Sequence, residues 1–270
     1  MGMDRGAVGR LPFLAMGTGA PMLYIGGLAF QAGVEAAGTE WMNASLLEPF
    51  AKRRRVLFVN RRRGLPRGMS MAELAAEHAD AIRSLEVGPV DVAGLSTGGS
   101  IAQQLAADHP DVVHHLVLLC TACRLGLEGR AMQRRVAARI RRGASRQALA
   151  VMMAGLVPPR RGQVVAGALG WLGGPRLLAG GDDLADMATT IDAEDAFDLA
   201  ICRSPIRAPT LILAGSEDRF YSPELFAETA RLIPGSRLRV FEGRGHLTVA
   251  RHPEWTREIE RFIAEGDQRA

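Results

Sequence analysis

Ser96 lies in a short glycine-rich turn where a serine could act as a nucleophile. The segment 94–99 reads GLSTGG; it directly follows the apolar run 90–93 and directly precedes a helix-forming stretch, 100–107. A strand, a Gly-x-Ser-x-Gly turn and a helix, in that order, expose the serine hydroxyl at the carboxyl edge of a sheet. The turn is sharp and the helix packs closely against it, so glycines are needed on both sides. The pattern therefore predicts a nucleophile rather than an ordinary glycine-rich turn.

A serine hydroxyl needs a base to become a nucleophile, and His246 is the best candidate among the six histidines. It follows the apolar strand pattern 238–241 in a glycine-rich loop, from which it can reach the edge of a sheet. The alternative is a histidine that is merely tolerated in a surface loop. The helical pattern 70–85 predicts His78 on its solvated side. The others fall at predicted helix or strand ends: His109, His114, His115 and His252.

The third residue of such a site is a carboxylate that holds the imidazole in the correct tautomer. Asp218 is our candidate because it lies in the loop after the buried-strand pattern 210–214. Glu217 is the neighbouring competitor, and an Asx-type turn that only shapes the loop is the non-catalytic alternative. The chain order is serine, acid, histidine, unlike the orders of chymotrypsin and subtilisin.

Taken together, these motifs make the chain resemble a serine-type α/β-hydrolase along nearly its whole length. The matching segments are 21–27, 94–99, 208–218, 243–246 and 252–254. Within the superfamily the chain is most similar to bacterial esterases and the 3-oxoadipate enol-lactonase group. That narrower likeness rests on segments 94–104 and 116–124, which recur in relatives with other substrates.

The resemblance implies an α/β fold, in which a mostly parallel, doubly wound sheet carries a helical cap. It also implies that the backbone N–H groups of Leu28 and Thr97 form an oxyanion hole. The chain departs from the family at Gly26-Gly27, where His-Gly is usual. Since a Gly-Gly pair leaves a loop freer to move, we expect modest activity until a substrate orders this loop.

Alternating strand and helix signals support such a fold and divide the chain into two parts. Strands are expected near 11–15, 22–25, 56–59, 90–93, 116–119, 210–214 and 238–241, and helices over 44–52, 70–85, 97–108, 223–232 and 253–265. Residues 1–123 and 206–270 form the predicted core. Residues 124–205, hereafter the insertion, are helical in pattern, with 131–142 and 146–156 the firmest stretches, and form the predicted cap.

The substrate-binding candidates are Gly27, in the loop after the first long strand, and Met152, Met153 and Trp171, in the insertion. The three insertion residues would line an apolar pocket for an acyl group or a ring. Packing inside the insertion explains them equally well.

Composition excludes several other classes of protein. With 270 residues, 47% of them hydrophobic, the chain can bury the core of one large domain. It has no long apolar run and no secretory leader, so we expect a cytoplasmic protein without a membrane span. The net charge of +4 comes almost entirely from arginine, without interleaved aromatic residues, so nucleic acid is not an expected partner. The arginines at 53–55 and 61–63, which flank the strand pattern 56–59, are expected to be solvated. Cys120 and Cys123 have no second ligand pair, and we expect no metal and no cofactor.

The sequence thus predicts a cofactor-independent serine hydrolase of a small-molecule carboxylic ester or lactone, acting through an acyl-enzyme. A protein of the same fold that binds a small ligand without turnover is the main alternative, because the loop at Gly26-Gly27 is altered. Hydrolysis of C–C bonds and perhydrolysis use the same three residues and stay open. The sequence leaves the oligomeric state undetermined.

Overall fold

An eight-stranded sheet forms the centre of the computed structural model, which describes residues 2–34, 47–157, 161–177, 181–246, 248–249, 252 and 254–268. The strands are β1 (Met3–Val8), β2 (Leu11–Met16), β3 (Pro21–Ile25), β4 (Arg55–Val59), β5 (Val90–Leu95), β6 (Val113–Leu119), β7 (Thr210–Gly215) and β8 (Arg237–Phe241). Their order across the sheet is β1-β2-β4-β3-β5-β6-β7-β8. β1 and β2 pair antiparallel with each other, β2 pairs antiparallel with β4, and the remaining pairs are parallel.

Helices connect the strands and cover the sheet. They are α1 (described over 47–51), α2 (Met71–Ser84), α3 (Thr97–Asp108), α4 (Leu127–Arg141), α5 (Ser145–Gly155), α6 (Arg161–Leu177), α7 (Gly181–Ala196), α8 (Pro223–Leu232) and α9 (Trp255–Asp267). Local sequence explains several of their starts. Ser70 and Glu73 form a reciprocal capping box at α2, and Ser222 caps α8 just before Pro223.

Apolar residues lie on both faces of the sheet, as a doubly wound fold requires. Leu23 and Ile25 of β3 join the cluster that packs under α2 and α3. Met22 and Tyr24, the alternate residues of the same strand, join the cluster under α9 on the other face. Each central strand is therefore buried on both sides, and its ends are the places where polar side chains can gather.

Four helices of the insertion, α4 to α7, lie between β6 and β7. Three of them, α4, α5 and α7, contribute to an apolar cluster built by Val136, Ala137, Ala148, Met152, Met187, Ala188 and Ile191. Asp186 of α7 joins the insertion to the core, because its carboxylate accepts the backbone N–H groups of Gly64 at 2.8 Å and Leu65 at 2.7 Å. Within the described residues, no helix combines the length and apolarity needed to cross a membrane.

The first strand was not predicted from the sequence, and two helices of the insertion were predicted only as part of its general helical pattern, without bounds. β1 has no apolar alternation, and all its residues except Val8 are exposed. It forms because it pairs with β2 through a tight turn, a contact that hydrophobic periodicity does not report. Helices α6 and α7 also lack a clear apolar stripe in sequence.

The sequence pattern predicts that the arginines around β4 are solvated. Not all of them are. Arg54 donates to Oδ2 of buried Asp91 at 2.5 Å, and His115 Nδ1 lies 2.8 Å from Oδ1 of the same carboxylate. His114 Nδ1 lies 3.3 Å from that oxygen, so these side chains also have the spacing of a metal site. Because Arg54 already supplies a cation to the carboxylate, we interpret the group as a structural ion-pair cluster.

We predict that Asp91→Ala lowers the free energy of unfolding by about 3 kcal/mol, because it removes the acceptor of a buried guanidinium. Asp111→Ala is the matched control. It removes the partner of Arg83 in an exposed pair, and such pairs contribute about 1 kcal/mol or less. Urea unfolding of both variants checks this. Equal losses in the two variants would show that the Asp91 cluster contributes no more than a surface pair.

Candidate active site

Ser96 occupies the sharp turn between β5 and α3. Its φ is +53° and its ψ is −122°, a backbone conformation that residues other than glycine rarely adopt. The Ser96 N–H donates to the carbonyl of Leu119 at 2.8 Å, and its own carbonyl accepts the N–H of Gly99 at 2.7 Å. These bonds hold the strained residue between two strands and the first turn of the helix.

The glycines of this turn are required by close backbone contacts. A Cβ atom on Gly98 would lie 2.3 Å from the carbonyl oxygen of Ile25. One on Gly94 would lie 2.4 Å from the carbonyl oxygen of Gly98. Neither backbone atom can move aside easily, so this close packing of β3, β5 and α3 depends on glycine at both positions.

The structure brings Ser96, His246 and Asp218 together, although His246 is 150 residues from Ser96 in the chain. His246 Nδ1 lies 2.7 Å from Asp218 Oδ2, and its Nε2 lies 3.0 Å from Ser96 Oγ. A carboxylate only accepts hydrogen bonds, so Nδ1 carries the proton and Nε2 accepts the Ser96 hydroxyl. The histidine and the aspartate are both buried.

The loop after β7 fixes the Asp218 carboxylate. Its Oδ1 accepts the backbone N–H groups of Phe220 at 2.8 Å and Tyr221 at 3.3 Å, which leaves Oδ2 for His246. The side chain of the competing candidate, Glu217, is exposed to solvent. Asp218 therefore forms the predicted Asx-type turn and contacts the histidine at the same time. The Phe220 ring packs on the imidazole, with 4.4 Å between ring centroids.

The predicted oxyanion-hole residues lie beside the serine. Thr97 begins α3, and a Cβ atom on Gly27 would lie 3.5 Å from Ser96 Cβ, so the loop passes next to Ser96. Among the described residues outside regular helices and strands, no backbone acceptor is found for the N–H groups of Leu28 and Thr97. The role of these two N–H groups as an oxyanion hole stays a prediction.

Several contacts restrain the Gly26-Gly27 loop, which the sequence predicted to be more mobile. The Gly26 N–H donates to the carbonyl of Val59 at 3.0 Å, and a Cβ atom on Gly26 would lie 2.8 Å from the Phe58 ring. Asn60 donates its amide to the carbonyls of Gln31 and Gly33 at 3.1 and 3.0 Å. The Phe58 ring therefore occupies the space that a larger side chain at residue 26 would need.

Arg61 supports the same loop. Its sequence context gives no sign of this role. Its guanidinium donates to the carbonyl of Phe30 at 3.3 Å and to that of Asp183, in α7, at 3.1 Å. Burial lowers the pKa of Arg61 to about 10, and the nearby Asp186 and Asp183 oppose that shift. The solvated position predicted for Arg61 is wrong, because its guanidinium is needed to satisfy buried carbonyls.

His78 is likewise buried, and the prediction that it lies on the solvated side of its helix is wrong. It lines a small cavity together with Gly27, Leu28 and Thr97. Segment 26–33, which carries the predicted donor Leu28, is hereafter called the oxyanion loop. The His78 Nδ1 lies 2.7 Å from the carbonyl of Leu74, and because a carbonyl only accepts hydrogen bonds, we assign the proton of the neutral ring to Nδ1. Burial lowers the pKa of His78 to about 4, which keeps the ring neutral near pH 7.

The predicted substrate-binding residues fall in different places. Gly27 lies next to Ser96, and Met152 belongs to the apolar cluster of the insertion, against which Leu28 packs. Met153 packs against Gly170 of α6. Trp171 is 47% exposed, with the Arg146 guanidinium 5.4 Å from its ring centroid. The substrate contacts of the three insertion residues stay predictions.

The chain belongs to the alpha/beta hydrolase family, whose model matches residues 26–259. Its fold and its relatives make it a hydrolase enzyme.

Two curated relatives and one solved structure show the range of this similarity. The chain is 29% identical over 202 residues to a pimeloyl-[acyl-carrier protein] methyl ester esterase of Neisseria meningitidis serogroup B, covering 72% of this chain and 76% of the relative. It is 29% identical over 220 residues to a 2-hydroxymuconate semialdehyde hydrolase of Pseudomonas putida, covering 71% and 68%. The enol-lactonase structure from Burkholderia xenovorans LB400 superposes with a TM-score of 0.73 at 22% identity, covering 97% of this chain and 100% of that one.

We predict that Gly98→Ala lowers the free energy of unfolding by roughly 1–3 kcal/mol, because the new methyl group forces β3 and α3 apart. Gly162→Ala in α6 is the control, since a Cβ atom there meets nothing within 4 Å. It should be neutral or slightly stabilising. Urea unfolding compares the two, and equal stabilities would show that the turn adapts to a side chain.

The neutral, buried His78 should make stability depend on pH. The unfolded chain binds a proton at the ordinary pKa of 6.5 and the folded protein only near 4, so stability is complete above pH 6.5 and falls as the pH drops towards 4. Between pH 7 and pH 5 the loss from this group is about 2 kcal/mol. His78→Leu should remove that part of the pH dependence in urea unfolding. An unchanged dependence would show that His78 has the same pKa in the folded and the unfolded chain.

Proposed function

We propose that the protein is a serine hydrolase that cleaves a small carboxylic ester or lactone through an acyl-enzyme intermediate. The observation that carries the proposal is the continuous hydrogen-bonded series from Ser96 Oγ through His246 to Asp218, at 3.0 and 2.7 Å. In this geometry His246 is the general base, and Asp218 holds its tautomer and stabilises the imidazolium.

The reaction begins when His246 Nε2 takes the proton of the Ser96 hydroxyl as Oγ attacks the carbonyl carbon. Negative charge then develops on the carbonyl oxygen. The N–H groups of Leu28 and Thr97 would donate hydrogen bonds to that oxygen. Such hydrogen bonds usually make the largest single contribution to stabilising the transition state in reactions of this type. Because protein contacts already restrain the loop that carries Leu28, little reorganisation is needed when the charge forms.

The intermediate collapses when the imidazolium gives its proton to the leaving oxygen and the C–O bond breaks. An alcohol leaves from an ester, while the hydroxyl group of an opened lactone stays attached to the acyl chain. A water molecule then attacks the acyl-enzyme, with His246 again acting as base. The acid product is released and the proton returns to Ser96.

The apolar cluster of the insertion favours an acyl group of low polarity. Leu28 and Phe30, which belong to the oxyanion loop, pack against this cluster, so an acyl chain bound at Ser96 would be near apolar side chains. We propose that the insertion is the cap of the site. The name of the Neisseria relative, a methyl ester esterase acting on a carrier-bound acyl chain, supports an ester substrate.

Hydrolysis of a C–C bond is the second candidate. The Pseudomonas relative is named as a semialdehyde hydrolase, and its similarity extends over 71% of this chain. Parallel assays with short acyl methyl esters, lactones and 2-hydroxymuconate semialdehyde distinguish the two reactions. Turnover of the semialdehyde alone would favour the second candidate.

We predict that Ser96→Ala abolishes labelling by a fluorophosphonate probe and lowers ester turnover by at least about 10³-fold, because the nucleophile is gone. Labelling is followed by gel fluorescence and turnover with p-nitrophenyl acetate. Ser84→Ala is the matched control, since Ser84 only bonds the carbonyl of Ala81 at the end of α2. It should label like the wild type.

Two results contradict the proposal. Full activity of Ser96→Ala would exclude Ser96 as the nucleophile. Absence of labelling in the folded wild-type protein would favour the alternative function, binding of a small ligand without turnover.

A further inference from the structure

Glu194, in α7, is a fully buried carboxylate that the proposed reaction does not use. Its Oε2 accepts the Thr97 hydroxyl at 2.7 Å and the Gln133 amide at 2.8 Å. Its Oε1 accepts the Tyr221 hydroxyl at 2.9 Å and the Ser100 hydroxyl at 3.1 Å. All four partners can donate. Because burying a carboxylate is costly unless it is hydrogen-bonded, this set of donors accounts for its tolerance in the core.

The donors come from three parts of the proposed site. Thr97 and Ser100 are in the first turn of α3, directly after Ser96. Tyr221 belongs to the loop that holds the acid, since its N–H donates to Asp218, and its ring stacks on His246 with centroids 6.0 Å apart. The remaining donor, from α4, joins a second helix of the insertion to the same carboxylate. One side chain of the insertion therefore contacts both the nucleophile turn and the acid loop.

Tyr221 is suited to this arrangement because it stays a donor. Burial raises the pKa of Tyr221 well above its ordinary value, and the nearby Glu194 carboxylate raises it further. The phenol therefore keeps its proton and directs it to Glu194. The Tyr221 hydroxyl bonds Glu194 and its ring stacks on the imidazole, so a shift of Glu194 would displace a ring that packs against His246.

We propose that Glu194 is a positioning residue for the serine hydrolase reaction, coupling the insertion to Thr97 and to Tyr221. The inference rests on the proposed function. Thr97 is the residue whose N–H would bind the oxyanion, and its side chain is tied to Glu194. Displacing a preorganised donor or base by about 1 Å can lower a rate by roughly 10²-fold, so loss of this carboxylate acts on the chemical step.

The test compares two buried carboxylates of the same helix. Glu194→Gln keeps the shape but cannot accept four donors, so we expect the fluorophosphonate labelling rate and kcat to fall about 10- to 100-fold with little change in KM. Asp186→Asn weakens a different junction, between α7 and residues 64 and 65. It should lower the thermal midpoint without changing the labelling rate at 25 °C.

A double-mutant cycle is a second measurement, and it distinguishes a positioning role from a merely structural one. Tyr221→Phe should lower the labelling rate by a smaller factor. Combined with Glu194→Gln, it should add little, because both changes break the same connection. If Glu194→Gln does not fold, Thr97→Val, which removes one donor without changing volume, takes its place and should also slow labelling.

The outcomes separate this inference from the proposed function. A wild-type protein that does not label contradicts the proposed function and, with it, the role of Glu194. A wild type that labels through Ser96, together with Glu194→Gln labelling at the same rate, overturns the role of Glu194 alone. Equal slowing by Glu194→Gln and Asp186→Asn would also overturn it, because general loosening of α7 would then explain the effect.

Discussion

The positive φ of Ser96 is the constraint on which the rest of the site depends. A residue in this conformation persists only where its surroundings hold it, and here two strands and a helix do so. The carbonyl of Leu119 accepts the Ser96 N–H, and the backbone of Ile25 lies too close to Gly98 for any side chain there. The same packing that strains the serine brings the oxyanion loop beside it. Nucleophile geometry and loop position are thus two results of one close contact between β3, β5 and α3.

The second physical feature is the satisfaction of buried charge across the boundary between core and insertion. Arg61 of the core donates to carbonyls of the oxyanion loop and of α7, while Asp186 of α7 accepts backbone N–H groups of the core. Glu194 makes the same kind of junction at the nucleophile turn. A buried polar group that loses its partners is costly, so each junction favours one placement of the insertion over the core. We infer that the insertion is held by polar contacts as well as by its apolar cluster.

The loop at Gly26-Gly27 illustrates how a departure from a family pattern is compensated elsewhere. The expected histidine is absent, but the Phe58 ring fills the adjacent space, and Asn60 bonds two carbonyls of the loop. These restraints come from a residue of β4 and from the residue that directly follows it, not from the loop itself. The identities of residues 26 and 27 alone therefore did not indicate how many contacts restrain the loop.

What the sequence determined by itself is the fold class, seven of the eight strands and the three residues that meet at the sheet edge. These follow from local signals, namely apolar runs, a glycine-bounded serine, and polar residues placed just after strands, because the carboxyl ends of parallel strands share one edge. Tertiary structure alone decided the positions of Arg61, His78 and Glu194. The burial of Arg61 and Glu194 depends on partners from distant segments, 122 residues away for Arg61 and Asp183 and 97 residues away for Glu194 and Thr97. A charged residue in a polar pattern gives no local sign of such partners. His78 lines a cavity with Leu28 and Thr97, which come from other segments of the chain. The sequence therefore identified the residues that we propose to react, and only the folded chain showed the buried residues that contact them or their loops.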